Sequence, residues 1–172
     1  MNAPNSIFDP SIFLDAQITE VNERRELLDV QNPESPDGLY TAIIGEVKTD
    51  SGTIGKGDRA GQPWMSMMVP LKVQVPASMQ SAMKLPPELT FTDRVFIDLT
   101  PDGRGIDNSP GKNRGQKHYR EICDLNKPGD VFAWRMLTGR PVKVRLVHVA
   151  VTPTDGSEPF LKEDLAGVFR AS

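Results

Sequence analysis

Residues 64–75 alternate strictly. Met65, Met67, Val69, Leu71, Val73 and Val75 are all apolar, while Trp64, Ser66, Met68, Lys72 and Gln74 take the other parity. A period of two over this length is the pattern of a β-strand with one face in a core. Such a strand cannot stand alone, so the rest of the chain has to supply a sheet for it. Pro70 interrupts the run, and a proline has no N–H to give to a ladder, so an edge or a bulge is expected there.

Four more segments read as strands. Residues 39–48 follow the turn signal Asp37-Gly38, with Leu39, Ile43 and Val47 on one face and Tyr40 on the other. Residues 91–99 place Phe91, Val95, Ile97 and Leu99 on one face. Residues 141–151 place Val142, Val144 and Leu146 on one parity but Val147, Val149 and Val151 on the opposite one. That switch calls for a bulge or for burial on both faces. The last strand spans roughly residues 160–169. The glycine-rich stretch 50–61 reads as a hairpin-like loop and 101–116 as a Gly/Pro/Asn-rich loop. After it, Tyr119, Ile122 and Cys123 recur at helical spacing, and Asp130 is a plausible N-cap for a helix over 131–137 that ends at Gly139.

Three strands, a helical insert and two strands give a mostly β fold, expected as a five-stranded OB-like barrel with the insert between strands 3 and 4. Other small barrels and sandwiches with one inserted helix share that string. The domain division expected is an acidic N-terminal arm and linker over 1–37 and the barrel over 38–172.

Charge supports the division. Residues 1–37 hold eight acids and two bases, net −6, and the remainder holds 15 acids and 18 bases, net +3. A mildly basic body is thus concealed in a chain of net charge −3. Within the arm, Ile7, Phe8, Ile12, Phe13, Leu14 and Ile18 form an apolar patch suited to docking on the body. The arm could also cover a basic groove in imitation of DNA, recruit a partner or join a homodimer contact. The opening has no basic segment followed by an apolar run, and no stretch approaches the roughly 18 apolar residues of a membrane span. The expectation is a cytoplasmic protein with no membrane partner.

No catalytic or metal site is expected, and no cofactor. Cys123 is the only cysteine, and His118 and His148 are the only histidines. His148 lies among valines in a strand, where a structural role fits. His118 stands beside Lys117 and Arg120, where a phosphate contact or solvent exposure fits. The run Gly52-Thr53-Ile54-Gly55-Lys56-Gly57 lacks the spacing of a phosphate loop and the hydroxyl residue after its lysine.

The positive features suit a flexible polyanion. Residues 101–120 carry Arg104, Lys112, Arg114, Lys117 and Arg120 against Asp102 and Asp107, with Gly103, Gly105, Gly111 and Gly115 between them. Glycines let backbone amides approach an anion, and scattered cations neutralise phosphates. A mobile basic loop suits a ligand that is itself flexible; a solvated loop whose charge keeps the protein soluble has the same composition. On the sheet, strand parity turns Tyr40, Trp64, Lys72, Arg94, Phe96, Lys143 and Arg145 away from the core. Six of these, Lys72 apart, would share one concave surface. Aromatic rings stack on bases while Arg and Lys hold the backbone, the recipe for sequence-tolerant binding of single strands. Against this, the insert or the arm could simply cover Trp64 and Phe96.

The layout Phe8-Asp9-Pro10-Ser11-Ile12-Phe13-Leu14, a linker, and Ser35-Pro36-Asp37-Gly38-Leu39-Tyr40-Thr41-Ala42-Ile43-Ile44 resembles the opening of small bacteriophage single-stranded DNA-binding proteins of OB-fold type. Val95-Phe96-Ile97-Asp98-Leu99 and Leu137-Thr138-Gly139-Arg140-Pro141-Val142-Lys143-Val144 resemble their later stretches. The resemblance implies a non-enzymatic protein that coats single-stranded DNA in phage DNA replication or recombination. Replication or recombination proteins would then be partners through the acidic arm. One departure is the ending, Leu165 to Ser172, which is not the acidic recruiting tail of many such proteins. The rival expectation is a β-rich virion or assembly protein acting through homo-oligomer contacts.

Overall fold

A computed structural model describes residues 24–171. The apolar patch at Ile7 to Ile18 and most of the acidic arm lie outside the described residues. The fold is mostly β: β1 (Tyr40–Ile44), β2 (Lys48–Thr53), β3 (Pro63–Gln74), β4 (Glu88–Ile97), β5 (Pro141–Val151) and β6 (Phe160–Arg170) form one antiparallel sheet. Helix α1 (Ala77–Met83) joins β3 to β4. Helix α2 (Arg114–Ile122) and a 3-10 turn at Trp134–Leu137 lie between β4 and β5.

The alternating segment is the central strand. β4 runs along one edge of β3, pairing Met65↔Ile97 through Gln74↔Glu88. The other edge is shared: β2 pairs with Pro63–Met68 and β1 with Leu71–Val73. Pro70 sits at the joint. In a β-strand the N–H and C=O of one residue point to the same edge. The Pro70 carbonyl accepts from Gly45 N at 2.7 Å, so the donor that proline lacks faces the gap between β1 and β2. The strand expected over 39–48 therefore ends at Ile44, and β2 takes Lys48 and the start of the stretch expected as a loop over 50–61, so among the described residues the sheet has six strands where the sequence suggests five. Gly45 fits because a side chain there would stand 3.2 Å from the Pro70 ring.

The core lies on the face of Ala42, Ile44, Val69, Leu71, Val73, Val142 and Val144, all essentially inaccessible. Tyr40 belongs to it. The ring is fully buried, and its hydroxyl donates to the Asp29 carbonyl at 2.8 Å. The expectation that Tyr40 faces outward is thus corrected. A tyrosine can enter a core when its hydroxyl finds an acceptor, and the inward parity of β1 is Tyr40, Ala42, Ile44. In β5 the alternation of more and less buried residues runs from Pro141 to Val149. The bulge expected there lies across the ladder, where Arg145↔Gly167 and Leu146↔Leu165 leave Ala166 of β6 as the extra residue. Val147 and Val149 are exposed, so β5 is not buried on both faces.

The sheet is open, since no ladder joins β4 to β6 among the described residues. Helix α2 fills that interval. Tyr119 is buried and donates from its hydroxyl to Asp93 of β4 at 2.8 Å, while His118 Nε2 lies 2.8 Å from the Val168 carbonyl of β6. A carbonyl can only accept, so His118 carries its proton on Nε2. Gly115 permits the approach, because a Cβ there would fall 2.5 Å from Val95 Cγ1. The helix expected over 131–137 is shortened to the 3-10 turn, and Asp130 does not cap it: its carboxylate accepts from the Lys127 amide at 2.6 Å.

The described part of the linker is docked. Leu28 is fully buried, and its carbonyl accepts from His148 Nε2 at 2.8 Å. Glu163 accepts both nitrogens of Arg25, at 2.6 and 2.7 Å, and the Leu28 amide at 2.6 Å. His148 and Glu163 are cross-strand neighbours, so one point of the β5–β6 ribbon clasps the segment. Asp37 pairs with Lys143 further along. No helix among the described residues is long and apolar enough to cross a membrane.

Candidate nucleic-acid interface

One cleft of about 890 Å³ opens where the β2–β3 loop faces the loop after β4. Trp64, Arg94, Phe96, Arg59, Lys112 and the backbone around Gly103 line it. Trp64 is the second residue of β3, opposite Gly52, and the indole lies against that glycine: a Cβ there would stand 3.0 Å from Nε1. Phe96 stands on β4 with its ring edge-on to the indole, centroids 6.0 Å apart and planes at 60°. It is 61% exposed. Arg94 sits over the same indole, its Cζ 5.9 Å from the ring centroid, and pairs with Asp50 of β2 at 3.0 Å. Lys112 Nζ is 3.9 Å from Asp98, and Arg59 donates from Nε to Gln62 at 3.1 Å. Three basic side chains thus line the cleft against two acidic ones, Asp98 and Asp107.

The loop expected to be mobile is tied down by hydrogen bonds. The Asp98 carboxylate accepts the Asn113 amide at 2.8 Å, and the Asn113 side chain accepts the Asp98 amide at 2.8 Å. Asn113 also donates to the Asp107 carbonyl at 2.7 Å. It is buried and in the left-handed region at φ 49°, which asparagine tolerates better than most residues. Hydrogen bonds from Ser109 and Thr100 hold the Asp107 and Asp102 carboxyls below the ordinary carboxylate range. The backbone that carries Lys112 is thereby held at the rim of the cleft.

The other expected site residues are dispersed. Arg104 is exposed on the loop but does not line the cleft, and Arg114 begins α2, also exposed. Lys117 faces Glu121 at 3.6 Å. Arg120 is committed to packing: Nε donates to the Leu125 carbonyl at 3.0 Å and the guanidinium covers Phe132. His118, expected to meet phosphate or solvent, is solvent-exposed, with Nε2 on the Val168 carbonyl. Lys72 is exposed beside Ile43 and Thr90 on the outer sheet face. Lys143 is held by Asp37 and Arg145 lies 5.1 Å from the Phe169 ring, both on β5 and outside the cleft. Of the six side chains expected on one concave surface, Trp64, Arg94 and Phe96 line the cleft, whereas Tyr40 is buried in the core and Lys143 and Arg145 lie outside it on β5.

Arg59 and Asp50 belong to the cleft region and were not expected there. The available signal for Arg59 was a pair of cations, Lys56 and Arg59, in the stretch read only as a hairpin loop. Asp50 gave none, because its importance comes from the β2–β3 register that sets it beside Ser66. None of the described linker residues lines the cleft. Among the described residues, no group of three or more His, Cys, Asp or Glu is placed to hold a metal ion. No protein-family model, curated protein or solved structure matches the chain.

Proposed function

We propose that this protein binds single-stranded DNA, with little sequence preference, along the cleft of Trp64, Phe96, Arg94, Arg59 and Lys112. In this reading the sheet is an OB-type barrel. β1 and β2 together act as its first strand, β3 to β6 as the other four, and α2 stands where β4 and β6 would close. OB barrels bind oligonucleotides across the second and third strands and the loop between the first and second. Those elements here are β3, β4 and the β2–β3 loop, the walls of the cleft. The observation that carries the reading is Phe96: a phenylalanine 61% exposed beside a tryptophan, in a cleft that three cations also line. Base stacking would cover that ring, contributing about 1–3 kcal/mol per base, and Arg94, Arg59 and Lys112 would neutralise the backbone. A role in phage DNA replication or recombination follows from the resemblance noted above and rests on it.

The test is a fluorescence-anisotropy titration of labelled oligo(dT) at several salt concentrations. Three cationic contacts predict a slope of log K against log[salt] of about −2, from about −0.7 per contact on single strands. No anisotropy change at low salt would refute the proposal. A large oligomer indifferent to DNA would point instead to an assembly role.

A further inference from the structure

Ser66 lies on the outer parity of β3, yet it is fully buried, and its Oγ has no hydrogen-bond partner among the described residues. The register explains the burial. Asp50 of β2 and Phe96 of β4 are its direct cross-strand neighbours, while Trp64 and Met68 are its same-face neighbours along β3. Arg94 stands on β4 opposite Met68, one same-face step away from Phe96. To meet Asp50 at 3.0 Å its side chain must cross β3 diagonally, over Ser66. The ion pair is therefore a bar across the outer face, with an unpartnered hydroxyl beneath it and the exposed Phe96 ring beside it.

A carboxylate and a phosphate are alternative partners for one guanidinium, and arginine binds either through the same N–H fork. We infer that Asp50 is a built-in competitor for Arg94, occupying the guanidinium until the phosphate of a bound strand replaces it. The inference rests on the proposed binding of single-stranded nucleic acid and adds a control on it. Displacement turns Arg94 towards the strand and uncovers Ser66, whose hydroxyl can then donate to the incoming backbone. Asp50 thus sets the threshold for binding: a ligand without phosphate gains nothing from Arg94, however well its ring stacks on Phe96. Both side chains of the pair are partly exposed, 43% for Arg94 and 41% for Asp50. Exchange of partners therefore needs no opening of the core.

The experiment compares Asp50→Asn with wild type in the oligo(dT) titration, in the wild-type and the Arg94→Ala backgrounds. Asp58→Asn, an exposed acid on the β2–β3 loop, serves as the control for net charge. Asp50→Asn is expected to tighten binding about three-fold, the scale of a half-exposed ion pair, and to exceed Asp58→Asn. In the Arg94→Ala background the same change is expected to give no more than the control does. Equal gains in both backgrounds would overturn the inference, as would weaker binding by Asp50→Asn, which would make Asp50 a support that aims Arg94. Binding by wild type with no effect of Asp50→Asn removes this inference alone. Binding by neither protein removes the proposed function with it.

Discussion

Replacing Phe96 by alanine separates the proposed function from folding. The ring is 61% exposed, so roughly 40% of its surface is buried by the protein. Full burial of such a side chain contributes about 1.5–3 kcal/mol, which scales to about 0.6–1.2 kcal/mol here. At about 2–4 °C per kcal/mol for a domain of this size, the melting temperature should fall by no more than about 5 °C. The stacked base it would lose is worth about 1–3 kcal/mol. At 1.4 kcal/mol per decade this is a loss of about 5- to 150-fold in affinity for oligo(dT). Anisotropy gives the first quantity and thermal melting by circular dichroism the second. An affinity within about two-fold of wild type, too small a change for a lost stack, would refute the stacking role. A collapse of the melting temperature would refute the assignment of Phe96 to the surface.

Two predictions concern the supports of the sheet. Burial raises the Glu163 carboxyl, but the Arg25 guanidinium and the Leu28 amide outweigh it and hold the group below its ordinary value of 4.5. A depressed carboxyl contributes stability above its unfolded value and loses it as pH falls through the folded one. Hydrogen exchange at the Leu28 amide, corrected for intrinsic rates, should therefore lose protection as pH falls below that ordinary value, and protection that stays flat into acid would contradict the clasp. Tyr119→Phe removes the bond from α2 to Asp93 in a buried setting and should cost about 1 kcal/mol in urea denaturation. An unchanged midpoint would mean that α2 is not anchored to β4 through that hydroxyl.

Strand positions were readable wherever a period of two ran long. Residues 64–75 and 141–151 correspond to β3 and β5 within one residue, because one buried face writes itself into alternate positions. What hydrophobicity does not encode was not readable. Tyr40 carries both an apolar ring and a polar tip, so its face depends on whether backbone acceptors wait in the core. Those acceptors come from Asp29 and Gln31 of the docked linker. The break between β1 and β2 is dictated by Pro70, in a different strand. Helix α1 was missed because Ala77–Met83 is short and buries only Met79. Trp64, Arg94, Phe96 and Lys112 were within reach of sequence because strand parity and loop charge both place them. Lys143 and Arg145 were grouped with them by strand parity and Arg120 by loop charge. Their local partners Asp37, Phe169 and Leu125 become visible only in three dimensions.

The central claim is that a nucleobase contacts the rings of the cleft. Ultraviolet cross-linking of a 5-bromodeoxyuridine oligonucleotide to the full chain, followed by peptide mapping, tests it at the level of residues. Adducts on Trp64 or Phe96 are predicted, suppressed by unlabelled oligo(dT). Adducts confined to the β5–β6 face around Lys143 and Phe169, with both cleft rings unmodified, would contradict it.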